Sequence, residues 1–283
     1  MKKVQATKPI STRHLDVSST FTVEDWRGGH SKKVDDDIVC EQAIAMVYNG
    51  ISHVVMMATP EHIEDFALGF SLSEGILEQP SQLYSLDLQP RDEGIEVAMH
   101  INAERFQKLK QARRNLTGRT GCGLCGAESL EQAIRKPKPV TTQQTFSHHA
   151  IEQAVAQLEA NQPLQAQTGA VHGAALCNKQ GHIELLREDV GRHNSLDKLF
   201  GASYTANLTR PLAEHFILIS SRASYEIVIK AAAMGIEMLV AVSAPTRLAI
   251  ELAEQVNITL VGFARPGRHM IYTHAQRLHT PKI

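Results

Sequence analysis

The sequence predicts an α/β protein in which a three-layer α/β domain over residues 139–283 follows a smaller α+β unit over 36–138, with a tail at 1–35. Three observations carry this. The C-terminal half alternates helical and strand-like segments with short connections, the pattern of a sheet covered by helices on both faces. The N-terminal half opens on a hairpin signal, Ala43 to Tyr48, then Asn49-Gly50, then Ile51 to Met56. Between the halves, Arg135-Lys136-Pro137-Lys138-Pro139 cannot continue a helix and marks the junction.

The first 35 residues are rich in Ser, Thr, Lys and Asp and without period, so they read as a tail. After the hairpin, Thr59 reads as the cap of a helix with Pro60 at its first position, and Phe66, Leu68, Phe70 and Leu72 supply apolar residues. Short strands near 84–88 and 95–101 flank Asp92-Glu93-Gly94, and a cationic helix runs from Ala103 to about Leu116. Beyond the junction the expected order is helix 147–160, strands 170–177 and 182–187, helix Val190–Phe200, strand His215–Ser220, helix Ala223–Met234, strand Glu237–Val242, helix Thr246–Val256 and strand Ile258–Phe263. That order implies a mostly parallel sheet, whose ligands sit beyond the carboxyl ends of the strands.

Composition removes several function classes. Lys plus Arg total 29 against 30 Asp plus Glu, so no overall basic field points to nucleic acid. With 43% hydrophobic residues the 283-residue chain can bury a substantial core. The N-terminal stretch lacks the continuous apolar run of a secretory signal and no segment is apolar for long enough to span a membrane, so a cytoplasmic location is expected. The 4 cysteines do not form a disulfide framework.

The clustered pair, Cys122 and Cys125 in Thr120-Gly121-Cys122-Gly123-Leu124-Cys125-Gly126, follows Lys108, Lys110, Arg113, Arg114 and Arg119. Neighbouring cations raise the thiolate fraction of a thiol, and the glycines permit close approach, so the setting favours a reactive sulfur. Half of a zinc ribbon would look similar, but no second Cys-x-x-Cys exists to complete it. A zinc shared between two subunits stays open. Cys40 and Cys177 stand alone and read as small apolar residues.

The C-terminal element order looks like the cytidine-deaminase fold. Zinc deaminases place His-x-Glu at the start of the second helix and Pro-Cys-x-x-Cys at the start of the third. Here those positions read Asp189-Val190-Gly191-Arg192-His193 and Ser220-Ser221-Arg222-Ala223-Ser224. Ser221 and Ser224 keep the spacing of the cysteines but are poor zinc ligands, so the expectation is a scaffold without the metal. Two helix N-termini remain, each with an arginine beside it, Arg192 and Arg222, an arrangement suited to phosphate. A third anion-competent element, Phe263-Ala264-Arg265-Pro266-Gly267-Arg268, leaves the last strand of the series and can clamp a pyrophosphate.

The segments TGRTGCGLCG, EDVGRHNSLDKLFG, SSRASYE and VGFARPGR, with VYNGISHVVMMATPEHIEDFALGFSLSEGIL, resemble the FdhD/NarQ family of formate dehydrogenase accessory sulfurtransferases over residues 40 to about 278. The resemblance implies a sulfur carrier that takes persulfide sulfur from a cysteine desulfurase. It passes the sulfur to a molybdenum cofactor bearing two molybdopterin guanine dinucleotides, before that cofactor enters formate dehydrogenase. It implies further that Cys122 holds the persulfide, that Phe263, Ala264, Arg265, Pro266, Gly267 and Arg268 bind the cofactor, and that the chain is a homodimer with no resting metal.

Several roles stay open at this stage. Cys125 is either a resolving thiol or a spare acceptor. Asp189 accepts from guanine N–H groups or caps the following helix. His193, at a helix N-terminus, and His172, near a strand, either face the cofactor or are satisfied core residues. The alternative function is a zinc-dependent deaminase-type hydrolase, disfavoured because the only Cys-x-x-Cys precedes the α/β unit.

Overall fold

The computed structural model describes residues 16–114, 137–141, 144–206 and 212–280. It opens on a hairpin where the sequence led us to expect a tail. Strands β1 (Ser18–Arg27) and β2 (His30–Val39) pair antiparallel in unbroken register. Gly28 and Gly29, both at positive φ, make the turn. The segment lacks an apolar period because cross-strand polar pairs hold it. Glu24 faces Lys33, Asp25 faces Lys32, and the hydroxyls of Thr20 and Thr22 donate to Asp37 (2.6 Å) and Asp35 (2.8 Å).

Strands β3 (Gln42–Tyr48) and β4 (Ile51–Ala58) form the expected hairpin, with Asn49 and Gly50 both at positive φ in its turn. Helix α1 (Ile63–Ser73) begins later than Thr59 and Pro60 suggested. Thr59 is buried and taken up by tertiary contacts instead. Its N–H donates to Asp189 (3.0 Å), its hydroxyl oxygen accepts from Val190 N–H (3.1 Å), and its carbonyl accepts from Lys198 (2.9 Å). Strands β5 (Leu83–Arg91) and β6 (Gly94–Ile101) complete a four-stranded sheet in the order β4-β3-β6-β5. Helix α2 (Ala103–Arg114) follows.

After a short strand β7 (Phe146–Ser147), helix α3 (His148–Leu158) is capped by the Ser147 hydroxyl, which accepts from Ala150 N–H at 3.0 Å. A short helix α4 (Pro163–Thr168), not expected from the sequence, is fastened by the Glu188 carboxylate, which accepts from the N–H groups of Leu164 (2.9 Å) and Gln165 (2.8 Å). Then come β8 (His172–Cys177), β9 (Ile183–Asp189), α5 (Arg192–Thr205), β10 (Phe216–Ile219), α6 (Tyr225–Ala233), β11 (Met238–Ala241), α7 (Arg247–Gln255), β12 (Thr259–Arg265), β13 (Arg268–Ile271) and β14 (Leu278–His279). β14 pairs with β7.

The main sheet runs β13-β12-β11-β10-β8-β9. It is mixed rather than mostly parallel: β10-β11 and β11-β12 are parallel, whereas β8-β9, β8-β10 and β12-β13 are antiparallel. The reason is local. β8-β9 and β12-β13 are joined by turns too short for the long crossover, usually a helix, that parallel neighbours need. Side chains alternate between two buried faces. Ala174, Leu176, Ile217, Ile219, Leu239 and Leu260 pack with α5, α6 and α7, while Ala175, Cys177, Phe216, Leu218, Val240 and Val261 pack with α3. The result is the three-layer α/β arrangement expected.

The boundary at 138/139 does not divide the core. One apolar cluster joins Ile44, Val97 and α1 to α5, α6 and the main sheet. At the α1–α5 crossing two glycines bring the backbones together: a Cβ on Gly69 would lie 1.8 Å from the Asp197 carbonyl oxygen, and one on Gly201 would lie 1.9 Å from that of Asp65. Buried ions lock the same seam. Lys230 donates to Ser73 (2.9 Å), Glu74 (2.8 Å) and both oxygens of Asp197 (3.0 and 2.9 Å), and Lys198 pairs with Asp189 at 2.7 Å. Among the described residues no helix is long and apolar enough to cross a membrane.

Candidate functional site at the strand ends

Four connections meet beyond one end of the main sheet: β9 to α5, β10 to α6, β11 to α7, and β12 to β13. Hydrogen bonds tie them in series. Thr246 N–H donates to the Ala223 carbonyl (2.9 Å), and Phe263 N–H donates to that of Ser243 (3.1 Å). The segments at 189–193 and 220–224 lie side by side, with His193 Nε2 3.5 Å from the Ser224 hydroxyl, and the one at 263–268 joins them through the loop at 242–246. Cys122 and Cys125 lie outside the described residues.

Asp189 ends β9 as a fully buried carboxylate. It accepts from Thr59 N–H (3.0 Å), Gly191 N–H (2.7 Å) and Asn194 Nδ2 (2.9 Å), and pairs with Lys198. Both expectations for it are corrected: its oxygens are occupied from within, so it neither meets a guanine nor caps α5. Gly191 holds the N-cap position, where a Cβ would press on Asn194 Nδ2 at 2.7 Å. Burial pushes Lys198 below its usual value even with Asp189 beside it, because a deep cation loses its water.

Arg192 and His193 begin α5. Among the described residues Arg192 Nε is buried without a hydrogen-bond partner. His193 Nε2 lies 3.0 Å from Glu226 and 3.5 Å from the Ser224 hydroxyl. Burial, then Arg192, Lys230 and Arg222, push this histidine down to about 4. At neutral pH the ring is uncharged and its Nε2–H donates to Glu226. His172, which begins β8, is also lowered by burial and by Arg192.

On the next connection Ser221 and Ser224 are buried and Arg222 is exposed. The Ser221 hydroxyl donates to the Arg222 carbonyl at 3.1 Å, and Ser224 occupies the N-cap of α6. The β12–β13 turn is shaped by a bulge at Gly262–Arg265 that places Phe263 at φ +51. A bulky side chain in that region is uncommon and strained, and here its aromatic ring is exposed. Ala264 is turned inward into the core under α3, so its side chain is closed to a cofactor. Arg265 is steered by the carbonyls of Val242 (2.7 Å) and Ala264 (3.3 Å), and Pro266, Gly267 and Arg268 are exposed.

The sequence reading gave no role to Glu226, Lys230, Gln162 or Ser220, all of which sit within or under this surface. The one advance signal was the spacing of Glu226 and Lys230, which puts both on one side of α6.

Residues 39–279 match the model of the FdhD/NarQ family. The chain belongs to that family. It is 53% identical over 260 residues to the sulfur carrier protein FdhD of Cupriavidus necator, covering 92% of this chain and 90% of that one. It is 48% identical over 273 residues to the protein of the same name from Xanthomonas euvesicatoria pv. vesicatoria, covering 96% of each. A crystal structure described as a candidate formate dehydrogenase accessory protein from Desulfotalea psychrophila superposes with a TM-score of 0.71 at 21% identity, over 93% of this chain and 100% of that one, a likeness of fold. The FdhD/NarQ match includes all four strand-end connections but begins at the end of β2, so the N-terminal hairpin lies almost wholly ahead of it.

Proposed function

We propose that this FdhD/NarQ chain is a sulfur carrier and sulfurtransferase that serves formate dehydrogenase, with Cys122 as the persulfide site and the strand-end surface as the docking site of its substrate. The observation that carries this is the near full-length similarity to proteins named sulfur carrier protein FdhD. In this reading the Cys122 thiolate attacks the outer sulfur of a cysteine desulfurase persulfide, forming a new S–S bond while the donor thiolate leaves. The thiolate of Cys125 then attacks the Cys122 sulfur. A disulfide forms, hydrosulfide is expelled toward the molybdenum of a bis(molybdopterin guanine dinucleotide) substrate, and a dithiol reductant restores the pair.

The chemistry of the surface suits such a substrate. A dinucleotide brings pyrophosphates, and the surface offers half-buried Arg192, exposed Arg222, Arg265 and Arg268, and the ring of Phe263 for stacking. Neutral His193 adds a hydrogen-bonding group without competing for the anion. The chain works in this reading as a homodimer in the cytoplasm. The hydrolase alternative gains nothing from the donor set: His193 stands with Ser224 and Glu226 where zinc chemistry calls for thiolates, and among the described residues no cluster of three His, Cys, Asp or Glu side chains can hold a metal.

The test is mass spectrometry after incubation with a cysteine desulfurase and cysteine. The wild type gains one sulfur atom at Cys122 and Cys122→Ala gains none; an adduct that persists in that variant overturns the assignment.

A further inference from the structure

Two histidines outside the strand-end chemistry meet next to the arginine turn. His148 Nδ1 lies 2.8 Å from His269 Nε2, and the two rings stack with centroids 5.0 Å apart and planes 22° from parallel. Both are half-buried. His269 directly follows Arg268 on β13, so this contact braces the segment that carries Phe263, Arg265 and Arg268.

The two ends of the contact differ in how firmly they are seated. β13 is the edge strand of the main sheet, four residues long, and its pairing with β12 shifts register between Gly262 and Arg265. His148, by contrast, starts α3, which the Ser147 hydroxyl caps, and β7 just before it pairs with β14. Phe146 of β7 is inaccessible and meets Phe216 edge-on at 5.5 Å. A firmly seated imidazole thus holds one on a lightly held strand.

Such a bond needs one N–H and one lone pair at the facing nitrogens. A neutral pair supplies them, and so does a pair with one added proton, whose N–H donates with charge assistance. With a proton added to both rings each facing nitrogen carries hydrogen, no acceptor remains, and two like charges stand at contact distance. The protons therefore enter in two steps that belong to the pair. Burial, then His148, hold His269 below the ordinary histidine value, and Glu152 works the other way. The other charged and titratable groups nearest the pair in sequence and register are His149 on α3, Arg265 on β12, Arg268 on β13 and His279 on β14. A base whose value is lowered on folding keeps its contribution above the ordinary value and loses it as pH falls through the lowered one.

We propose, on the reading that the strand-end surface is the substrate site, that His148 and His269 are positioning residues: their hydrogen bond fixes the Phe263–Arg268 turn for a diphosphate, and double protonation in acid releases it.

Hydrogen–deuterium exchange of segment 261–271 in the unliganded full chain, and isothermal titration with guanosine diphosphate, test this at about pH 7.5 and about pH 5, either side of the ordinary histidine range. His148→Asn puts an amide close to the position of Nδ1 and takes up no proton; His269→Gln does the same for Nε2. His148→Phe keeps the stack and removes the bond. At the higher pH the amide variants should match the wild type, while His148→Phe exchanges faster in this segment and binds guanosine diphosphate roughly fivefold more weakly, the scale of one hydrogen bond. In acid the wild type should fall to the level of His148→Phe and the amide variants should not. Comparing variants at one pH cancels the titration of the ligand phosphate and the intrinsic pH dependence of exchange. Protonation acting through charge alone would make the wild type bind the anion more tightly in acid than the amide variants do. That result overturns the proposal, as does exchange in His148→Phe equal to wild type at the higher pH. Absence of guanosine diphosphate binding to the wild type overturns the substrate-site reading and the affinity half of the proposal, while the exchange comparison still decides the positioning role and the persulfide test on Cys122 is unaffected.

Discussion

Replacing Lys230 with methionine tests how the seam between the two halves is held. In the wild type one buried ammonium serves Asp197, Glu74 and Ser73, with Asp197 all but inaccessible. Burial works against the lysine's charge, but Asp197 and Glu74 outweigh it and hold the ammonium above the ordinary lysine value. Burial pushes the Asp197 carboxyl up to about 6, and Lys230 and the Ser73 hydroxyl offset only part of that. Two carboxylates share one cation, and the deeper one is the strained member. Because Asp197 binds its proton more tightly folded than unfolded, wild-type stability from this group is greatest in acid and declines as pH rises from the ordinary aspartate range through about 6.

Lys230→Met removes the main group that favours the Asp197 anion, so its pKa rises further and the decline extends to higher pH. The variant should lose about 3–5 kcal/mol near pH 8, where an uncompensated carboxylate must stay buried or take up a proton. Near pH 5 the carboxyl is protonated, and the loss should shrink to about 1–2 kcal/mol, the order of the hydrogen bonds removed. Adding Asp197→Asn should recover most of the loss near pH 8. Urea unfolding followed by circular dichroism at both pH values reads these differences. A loss independent of pH, or a double variant no more stable than the single one, refutes the reasoning.

Three other outcomes follow from particular contacts. Gly69→Ala and Gly201→Ala each force a methyl group into a backbone carbonyl across the α1–α5 crossing, so each should destabilise by about 3 kcal/mol or more, read as a lowered Tm; unchanged melting would mean the helices are not in contact there. Phe263→Gly relieves a positive φ at an exposed side chain, so it should melt no lower than wild type while binding guanosine diphosphate less tightly; a clear stability loss would show the ring packs inward. His193, pushed down to about 4, should show neutral-imidazole nitrogen shifts by NMR from neutral pH down to about pH 5, and titration near the ordinary histidine value would refute its burial among cations.

The Asn49-Gly50 turn, the order of the longer helices and strands beyond residue 145 (short α4, β7, β13 and β14 apart) and the three arginine-bearing segments were legible because each depends on neighbours in sequence. Turn angles, apolar period and glycine placement are local properties. The N-terminal hairpin was not legible, since its strands are held by opposite charges and hydroxyl–carboxylate pairs that meet only after folding. Thr59 looked like a helix cap and became an anchor for Asp189, Val190 and Lys198, each more than a hundred residues distant. Asp189 looked like a ligand or a cap and proved to be an internal counter-ion.

By itself, then, the sequence determined the α/β class, the family and the identity of the arginines at the strand ends, because motif and periodicity reside in consecutive residues. Only the tertiary structure decided which polar groups are paired inside and which are left unpaired. That division depends on who is nearest in space: Asp189 found Lys198, Asp197 found Lys230, and Arg192 Nε and Gln162 Nε2 found no partner among the described residues.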